Sequence, residues 1–464
     1  MAVQQGTTRR APRSTEPTSK LALKVRKFEE FLDSRPLIDY TMIRSIVLVL
    51  AGLGVVMVMS SSMATSFADS ESVWGVAIRQ TVMVIGGLIA FWVALKTPPE
   101  RLRSFSAVLM AASVILLILV LTPLGTGREE VGSQSWIVLG PLRLQPSEVA
   151  RVAIAMWGAK VLEHRNPQRL FQANNGFLAF FIVAAICVAL IAAQGDMGMA
   201  LSFAVVVAFI LIFAGVPKKA IVYLGIGGAF SLIVAFLSGG FRSARFHVYF
   251  DALRGHFDDT QGIAFQSHQG FLSLADGHIF GVGLGQSRAK WFYLPEARND
   301  FIFAIIGEEL GLWGGTLVIS LFALLGFFGF RTARRAQSQY QTLMAAALTA
   351  AVVSQAFVNI GYVIGLLPVT GIQLPMLSAG GTSAVITLGA MGVLANVARH
   401  EPDAISAMQN YGRPVFDRML GVQEPRPITQ QRQPREHPRE QVQRNHRPTA
   451  PVRQATGGPR RVRR

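Results

Sequence analysis

Ten apolar runs dominate the chain, at 46–63, 76–95, 107–121, 149–162, 177–193, 199–216, 220–237, 301–330, 343–362 and 383–397. A helix needs ~20 apolar residues to cross a bilayer. Runs of this kind, repeated this often, predict an all-α polytopic membrane protein with about ten transmembrane helices. Several fall short of a full span, which leaves their edges loosely defined. The eighth is longer than a span needs, so it tilts or extends past the bilayer. Gln194-Gly195-Asp196 separates the fifth run from the sixth.

The polar positions between the runs set the orientation. Lys96, Arg101 and Arg103 mark one short loop, and Lys160, Arg165 and Arg169 the next on that side. Lys218 and Lys219, then Arg331, Arg334 and Arg335, continue the series and alternate with loops poorer in Lys and Arg. Basic short loops stay inside, so both termini are expected to be cytoplasmic. A large extracytoplasmic loop, 238–300, then precedes the eighth helix; a connection of that length points to function. Two further outer segments are expected at 122–146 and 365–382, the latter rich in Gly and Pro and read as re-entrant or packed on the outer face.

Three regions follow. Residues 1–45 form a cytoplasmic tail with a short amphipathic helix, in which Leu21, Val25, Phe28 and Leu32 share a face and Ser34-Arg35-Pro36 ends it. Residues 46–398 form the transmembrane domain. Residues 399–464 read as a basic, Pro-rich disordered cytoplasmic tail.

Composition agrees with this picture. The chain is 51% hydrophobic and 15% charged, which excludes a soluble multidomain protein. Its net charge of +17 fits inward-facing loops and tails, so nucleic acid is not an expected partner. The single cysteine, Cys187, excludes an intrachain disulfide and argues against a cysteine metal site. No cleavable signal peptide is read ahead of the first run.

Candidate chemistry concentrates in residues 287–310, SRAKWFYLPEARNDFIFAIIGEEL. Lys290, Glu296, Arg298 and Asp300 crowd a membrane boundary, and Glu308 and Glu309 follow inside the apolar run. Ionisable groups there are expensive and mark function. Asp300 admits two readings: a general base, or a cap for the helix that follows. Glu308 and Glu309 are read as polar anchors or as part of an ion path, with the same two readings for Glu148 and Asp196 and Arg79 as a partner for either. Gly281, Gly283 and Gly285 lack the strand and helix of a dinucleotide site and are read as a flexible turn.

The motifs, taken together, resemble the SEDS proteins, the family containing FtsW and RodA, over about 46–399. They are Arg79-Gln80; Trp136-Ile137 with Leu139-Gly140 and Gln145-Pro146-Ser147-Glu148; Gln194-Gly195-Asp196-Met197-Gly198; and Gln266-Ser267. Gly281 to Ser287, Tyr293-Leu294-Pro295-Glu296-Ala297, Asp300-Phe301-Ile302-Phe303, Leu367-Pro368-Val369-Thr370-Gly371 and Ser378 to Ser383 complete the set. The chain departs from the family pattern at Ser135, Gly195, Arg298 and Gly262-Ile263-Ala264.

The resemblance implies a peptidoglycan glycosyltransferase that polymerises lipid II during septal wall synthesis, with inversion at the anomeric carbon. It favours Asp300 as general base. Such a reaction also needs a positive clamp for the leaving diphosphate, from basic side chains or a divalent cation such as magnesium or manganese. Lys290 and Arg298, with Arg245, are candidates for that clamp, and Glu296 for placing the loop or the cation. The resemblance further puts Gln266, Ser267, Trp136, Glu148 and Ser378 at the substrate. No metal ligands are assigned. Expected partners are lipid II, a class B penicillin-binding protein of the FtsI type, and division proteins reached through the tails. The expected location is the plasma membrane at the division septum. A lipid II flippase, a RodA-like elongation polymerase and a division scaffold are the alternative readings.

Overall fold

A computed structural model describes residues 20–70, 72–140, 142–237, 249–250, 263–291 and 294–425. The expectations for 1–19, for Arg245 and for the tail beyond 425 lie outside the described residues. In chain order the helices are α1 (Lys20–Asp33), α2 (Ile38–Ser70), α3 (Gly75–Lys96), α4 (Pro99–Leu119), the short α5 (Arg128–Val131), α6 (Pro146–Leu162), α7 (Phe177–Ala193) and α8 (Met197–Phe213). They continue with α9 (Lys218–Leu237), α10 (Ile263–Asp276), α11 (Ile302–Arg335), α12 (Gln339–Val363), α13 (Thr382–Arg399), α14 (Pro402–Tyr411) and α15 (Val415–Met419). Each of the ten apolar runs falls on one of these helices. Among the described residues, six helices are long and apolar enough to cross a membrane by length and composition: α2 over Ile38–Met63, α3, α4, α11, α12 and α13.

The fold is mostly helical but not wholly so. Three short strands, β1 (Gly125–Thr126), β2 (Trp136–Leu139) and β3 (Leu142–Leu144), pair antiparallel in that order. Leu139 pairs with Leu142, and Gly140, just after β2, has a left-handed φ of 61°. Strict all-α architecture is therefore corrected in the segment between α4 and α6.

The core holds α11 and α12 beside α2, with α13 packed on α3. A Cβ on Gly87 would lie 2.5 Å from Leu388 Cδ1, and one on Gly392 would lie 2.6 Å from the Phe91 backbone, so glycines let α3 and α13 approach closely. In the irregular segment 364–381 the second half is largely buried among the helices, while Ile364 and Leu366 in the first half are exposed. Ile372, Leu374, Met376 and Leu377 are buried, and a Cβ on Gly54 of α2 would meet the Met376 carbonyl. Its backbone is satisfied from within: Gln355 Nε2 donates to the Gln373 carbonyl at 2.9 Å and Asn359 Nδ2 to the Ile372 carbonyl at 2.7 Å.

Ordered structure also runs past 399. Buried Asp417 accepts from Tyr40 Oη and from Arg399 Nε, each at 2.6 Å, and so ties α15 to α2 and α13. Arg335 reaches Asp33 at 2.6 Å and Asp403 at 2.5 Å, joining α1, α11 and α14. The boundary at 399 marks where apolar periodicity stops, not where packing stops.

Candidate functional site

The stretch leading into α11 is held at three consecutive carbonyls. That of Arg298 accepts from the Ala379 N–H at 3.0 Å, and that of Asn299 accepts from Ser378 Oγ at 2.7 Å. The Asp300 carbonyl lies 2.9 Å from both Asn359 Nδ2 and the Tyr362 hydroxyl. Ser378 is fixed in turn, since its Oγ accepts from the Leu374 N–H at 2.8 Å and its carbonyl accepts from Gln80 Nε2 at 3.2 Å. The half-buried Asp300 is thus carried on a rigid backbone. Phe301 occupies the N-cap position of α11, one residue after Asp300.

Glu296 places the loop. It sits at φ 55°, its carboxylate accepts from Asn299 Nδ2 at 2.5 Å, and its carbonyl accepts from the N–H groups of Asn299 and Phe301. Arg298 is half-buried and donates to Thr65 Oγ1 of α2 at 3.1 Å.

Just below, α11 is broken. Gly311 has φ 68°, ψ −163°, and residues 278–283 enter the gap. Val282 and Gly283 donate to the carbonyls of Glu308 and Glu309 at 2.9 and 3.1 Å. On the other side, the N–H groups of Leu312 and Trp313 donate to the carbonyls of His278 and Ile279 at 3.0 and 3.5 Å. The wedge thereby supplies partners to helix groups that the break would leave unpaired. Only glycine permits this contact: a Cβ on Gly277 would lie 1.9 Å from the Gly307 carbonyl oxygen, and one on Gly281 2.2 Å from that of Glu309. The glycine-rich stretch, read as a flexible turn, is locked by its contact with α11.

The two glutamates beside the break anchor the same loop. Glu308 accepts from Ser287 Oγ and the Arg288 N–H, both at 2.7 Å. Glu309 accepts from Ser60 Oγ of α2 at 2.6 Å and pairs with Lys290 Nζ at 3.3 Å. Lys290 also donates to the Gly285 carbonyl at 2.5 Å, and its side chain is only 2% exposed. Through these contacts Lys290 ties the loop to α11.

A second buried polar cluster involves α6 and α8. Glu148 accepts from Ser383 Oγ at 2.5 Å, Arg151 donates to Ser202 Oγ at 2.8 Å, and Gln145 donates to Asp196 Oδ2 at 3.0 Å. Asp196 also caps α8 through the Met199 N–H at 2.9 Å. Ser378 and Ser383 connect the clusters, one touching Asn299 and the other Glu148. Arg79 is exposed, and Arg151 is the cation buried beside Glu148. Trp136 lies half-buried in β2, where its carbonyl accepts from Thr126 Oγ1 at 3.3 Å. Gln266 and Ser267 lie half-buried on α10. No three His, Cys, Asp or Glu side chains converge to hold a metal among the described residues.

Arg151, Asn359 and Tyr362 were missed in the sequence. Their signal was a polar group inside an apolar run, the same that singled out Glu308 and Glu309.

The match to known proteins covers most of the chain. The family model for the FtsW, RodA and SpoVE cell cycle proteins matches residues 40–403. A probable peptidoglycan glycosyltransferase FtsW of Mycobacterium tuberculosis is 38% identical over 393 residues, covering 85% of this chain and 74% of the relative. The stage V sporulation protein E of Bacillus subtilis is 36% identical over 355 residues, covering 76% of this chain and 95% of the relative. Among solved structures, a chain of a peptidoglycan synthase complex aligns with TM-score 0.62 at 24% identity, over 78% of this chain and 97% of that one. The rod shape determining protein RodA of Thermus thermophilus aligns with TM-score 0.56 at 24% identity, over 78% and 96%. This chain is a multi-pass membrane protein that belongs to the FtsW, RodA and SpoVE family of cell cycle proteins.

Proposed function

We propose that this protein is a peptidoglycan glycosyltransferase that polymerises lipid II into glycan strands, with Asp300 as the general base. The observation that carries the site assignment is the fixing of carbonyls 298, 299 and 300 by Ala379, Ser378, Asn359 and Tyr362. A carboxylate acts as a base only within hydrogen-bond reach of the proton it takes, and a rigid carrier holds it there. In the step, an acceptor sugar hydroxyl attacks the anomeric carbon of a lipid-diphosphate-linked strand. The hydroxyl proton passes to Asp300, the new glycosidic bond forms, and the bond to the diphosphate breaks with its electrons leaving on the diphosphate. Arg298 supplies positive charge near Asp300; Arg245 and a divalent cation are the further members proposed for the clamp. Gln266, Ser267, Trp136, Glu148 and Ser378 shape the substrate path or support it.

Ten spans with both termini inside and the 238–300 loop outside complete the reading. The septal FtsW branch is favoured by the 38% identical relative. The proposed partner is a class B penicillin-binding protein, and the tail beyond 425 is proposed to recruit an acidic cytoplasmic division component. The test is direct: purified protein, with and without that partner, receives labelled lipid II and the products are separated by size. Glycan strands support the proposal. Translocation without polymerisation would identify a flippase instead.

A further inference from the structure

We infer that the wedge at 278–284 is an interfacial membrane element, seated in the outer-leaflet boundary with Ile279, Phe280, Val282 and Leu284 against lipid. The inference rests on the proposed orientation, with the 238–300 loop outside.

Depth follows from α11. Arg331 opens its basic end and lies twenty positions after Gly311. At ~1.5 Å per residue that is ~30 Å, the thickness of the hydrocarbon core. The break thus falls at the outer edge of the core, and the carboxylates of Glu308 and Glu309 lie at or beyond that edge, buried in protein. Four backbone hydrogen bonds between 278–283 and residues 308–313 fix the wedge at the same depth.

The surface at this depth is apolar. Phe280 is 81% exposed, Trp313 66% and Trp291 59%, with Ile279, Val282, Leu284 and Leu312 also exposed. Leaving one such side chain in water forfeits roughly 1.5–3 kcal/mol of burial. Residues 277–287 carry no Asp, Glu, Lys or Arg. Two exposed tryptophans near this level fit the aromatic belt of a bilayer interface. Irregular backbone is excluded from lipid unless its polar groups are paired, and the break in α11 pairs part of this one.

The experiment uses full-length protein with Cys187→Ser and single cysteines at Phe280 or Leu284, each carrying an environment-sensitive fluorophore. The protein is placed in phosphatidylethanolamine–phosphatidylglycerol nanodiscs with nitroxide lipids. Apolar faces of interfacial elements sink ~5–10 Å, so a nitroxide high on the acyl chain should remove about half of the fluorescence or more, and a deep one less. Aqueous iodide should have little effect. Quenching by iodide alone at both positions overturns the inference. Protection from both quenchers, lifted by detergent extraction of a partner, would mean that a protein covers the patch and also overturns it. Cysteine at Asp276 should react with an impermeant reagent added outside. If it reacts only from inside, the orientation fails; if it reacts from outside while iodide alone quenches Phe280→Cys, only the interfacial inference fails.

Discussion

At the scale of single residues, a base and a helix cap at position 300 predict different outcomes. Asn can still accept a hydrogen bond as a cap. Asn keeps the shape but cannot accept the proton, and loss of a general base costs about 10²–10⁴-fold in rate. Asp300→Asn should therefore accumulate and melt as wild type does, yet polymerise lipid II at least about 100-fold more slowly. Wild-type strand synthesis by this variant would end the assignment. Glycine substitutions make a second, internally controlled test. Gly281 and Gly285 both have left-handed φ, 81° and 82°, so alanine at either pays about 1–2 kcal/mol of backbone strain. Only at Gly281 does the added Cβ also strike a backbone atom, the Glu309 carbonyl oxygen at 2.2 Å; at Gly285 nothing lies within 4 Å. Gly281→Ala should push the wedge out of the break and lose roughly 1 kcal/mol more for each hydrogen bond broken. Thermal unfolding should place Gly281→Ala well below Gly285→Ala, and equal losses would mean that the close approach is not required.

At the scale of elements, the decisive unit is the broken α11 with the loop it holds. Glu309 and Lys290 are both buried, so removing one leaves the other charge uncompensated, at about 3–5 kcal/mol. Removing both relieves that penalty. Lys290→Met should thus destabilise strongly, and Lys290→Met combined with Glu309→Gln should recover much of the loss. Melting curves of the four proteins give the coupling directly, and additive losses would show that the pair is not coupled. The sequence made part of this unit legible. All ten apolar runs lie on helices because a run of apolar residues in a membrane has few alternatives to helix. Glu308 and Glu309 stood out as two carboxylates inside an apolar run. The break did not show, since Gly311 in an apolar helix is unremarkable until residues 278–283, about thirty positions earlier, arrive to fill it. Nor could spacing show that Lys290 turns inward to Glu309, because a lysine in a polar stretch reads as solvated. The strands β1, β2 and β3 escaped for a related reason: they pair with one another over too few residues to set a period.

At the scale of the whole molecule, the end of the domain folds back on its beginning, and this closure titrates. Glu401 lies where α13 meets α14, beside Asp39 of α2 and Arg335 of α11, whose Nε is 3.4 Å from its carboxylate. Burial, reinforced by the nearby charge of Asp39, pushes Glu401 up from 4.5 to about 8. Its neighbour His400 is held neutral by burial, down from 6.5 to about 4, although its ring contact with the Asn396 carbonyl and the Arg399 charge act in opposite directions. The signs oppose. The raised Glu401 binds more protons folded than unfolded, so its contribution is complete below about pH 4.5 and is lost as pH rises to about 8. The depressed His400 binds fewer folded, so its contribution is complete above pH 6.5 and is lost as pH falls toward about 4. Between about 4.5 and 6.5 the two slopes offset each other; above 6.5 only that of Glu401 remains. Stability should hold level up to about pH 6.5 and then fall toward pH 8. Glu401→Gln keeps the shape without the charge, so it should remove the alkaline limb, match wild type only near pH 4.5 where Glu401 is protonated in both states, and melt increasingly above wild type as pH rises toward 8. Melting the full-length protein in detergent from pH 5 to 9, wild type against Glu401→Gln, reads both limbs. An alkaline fall of equal size in the two proteins would mean that the closure at Glu401 does not control it.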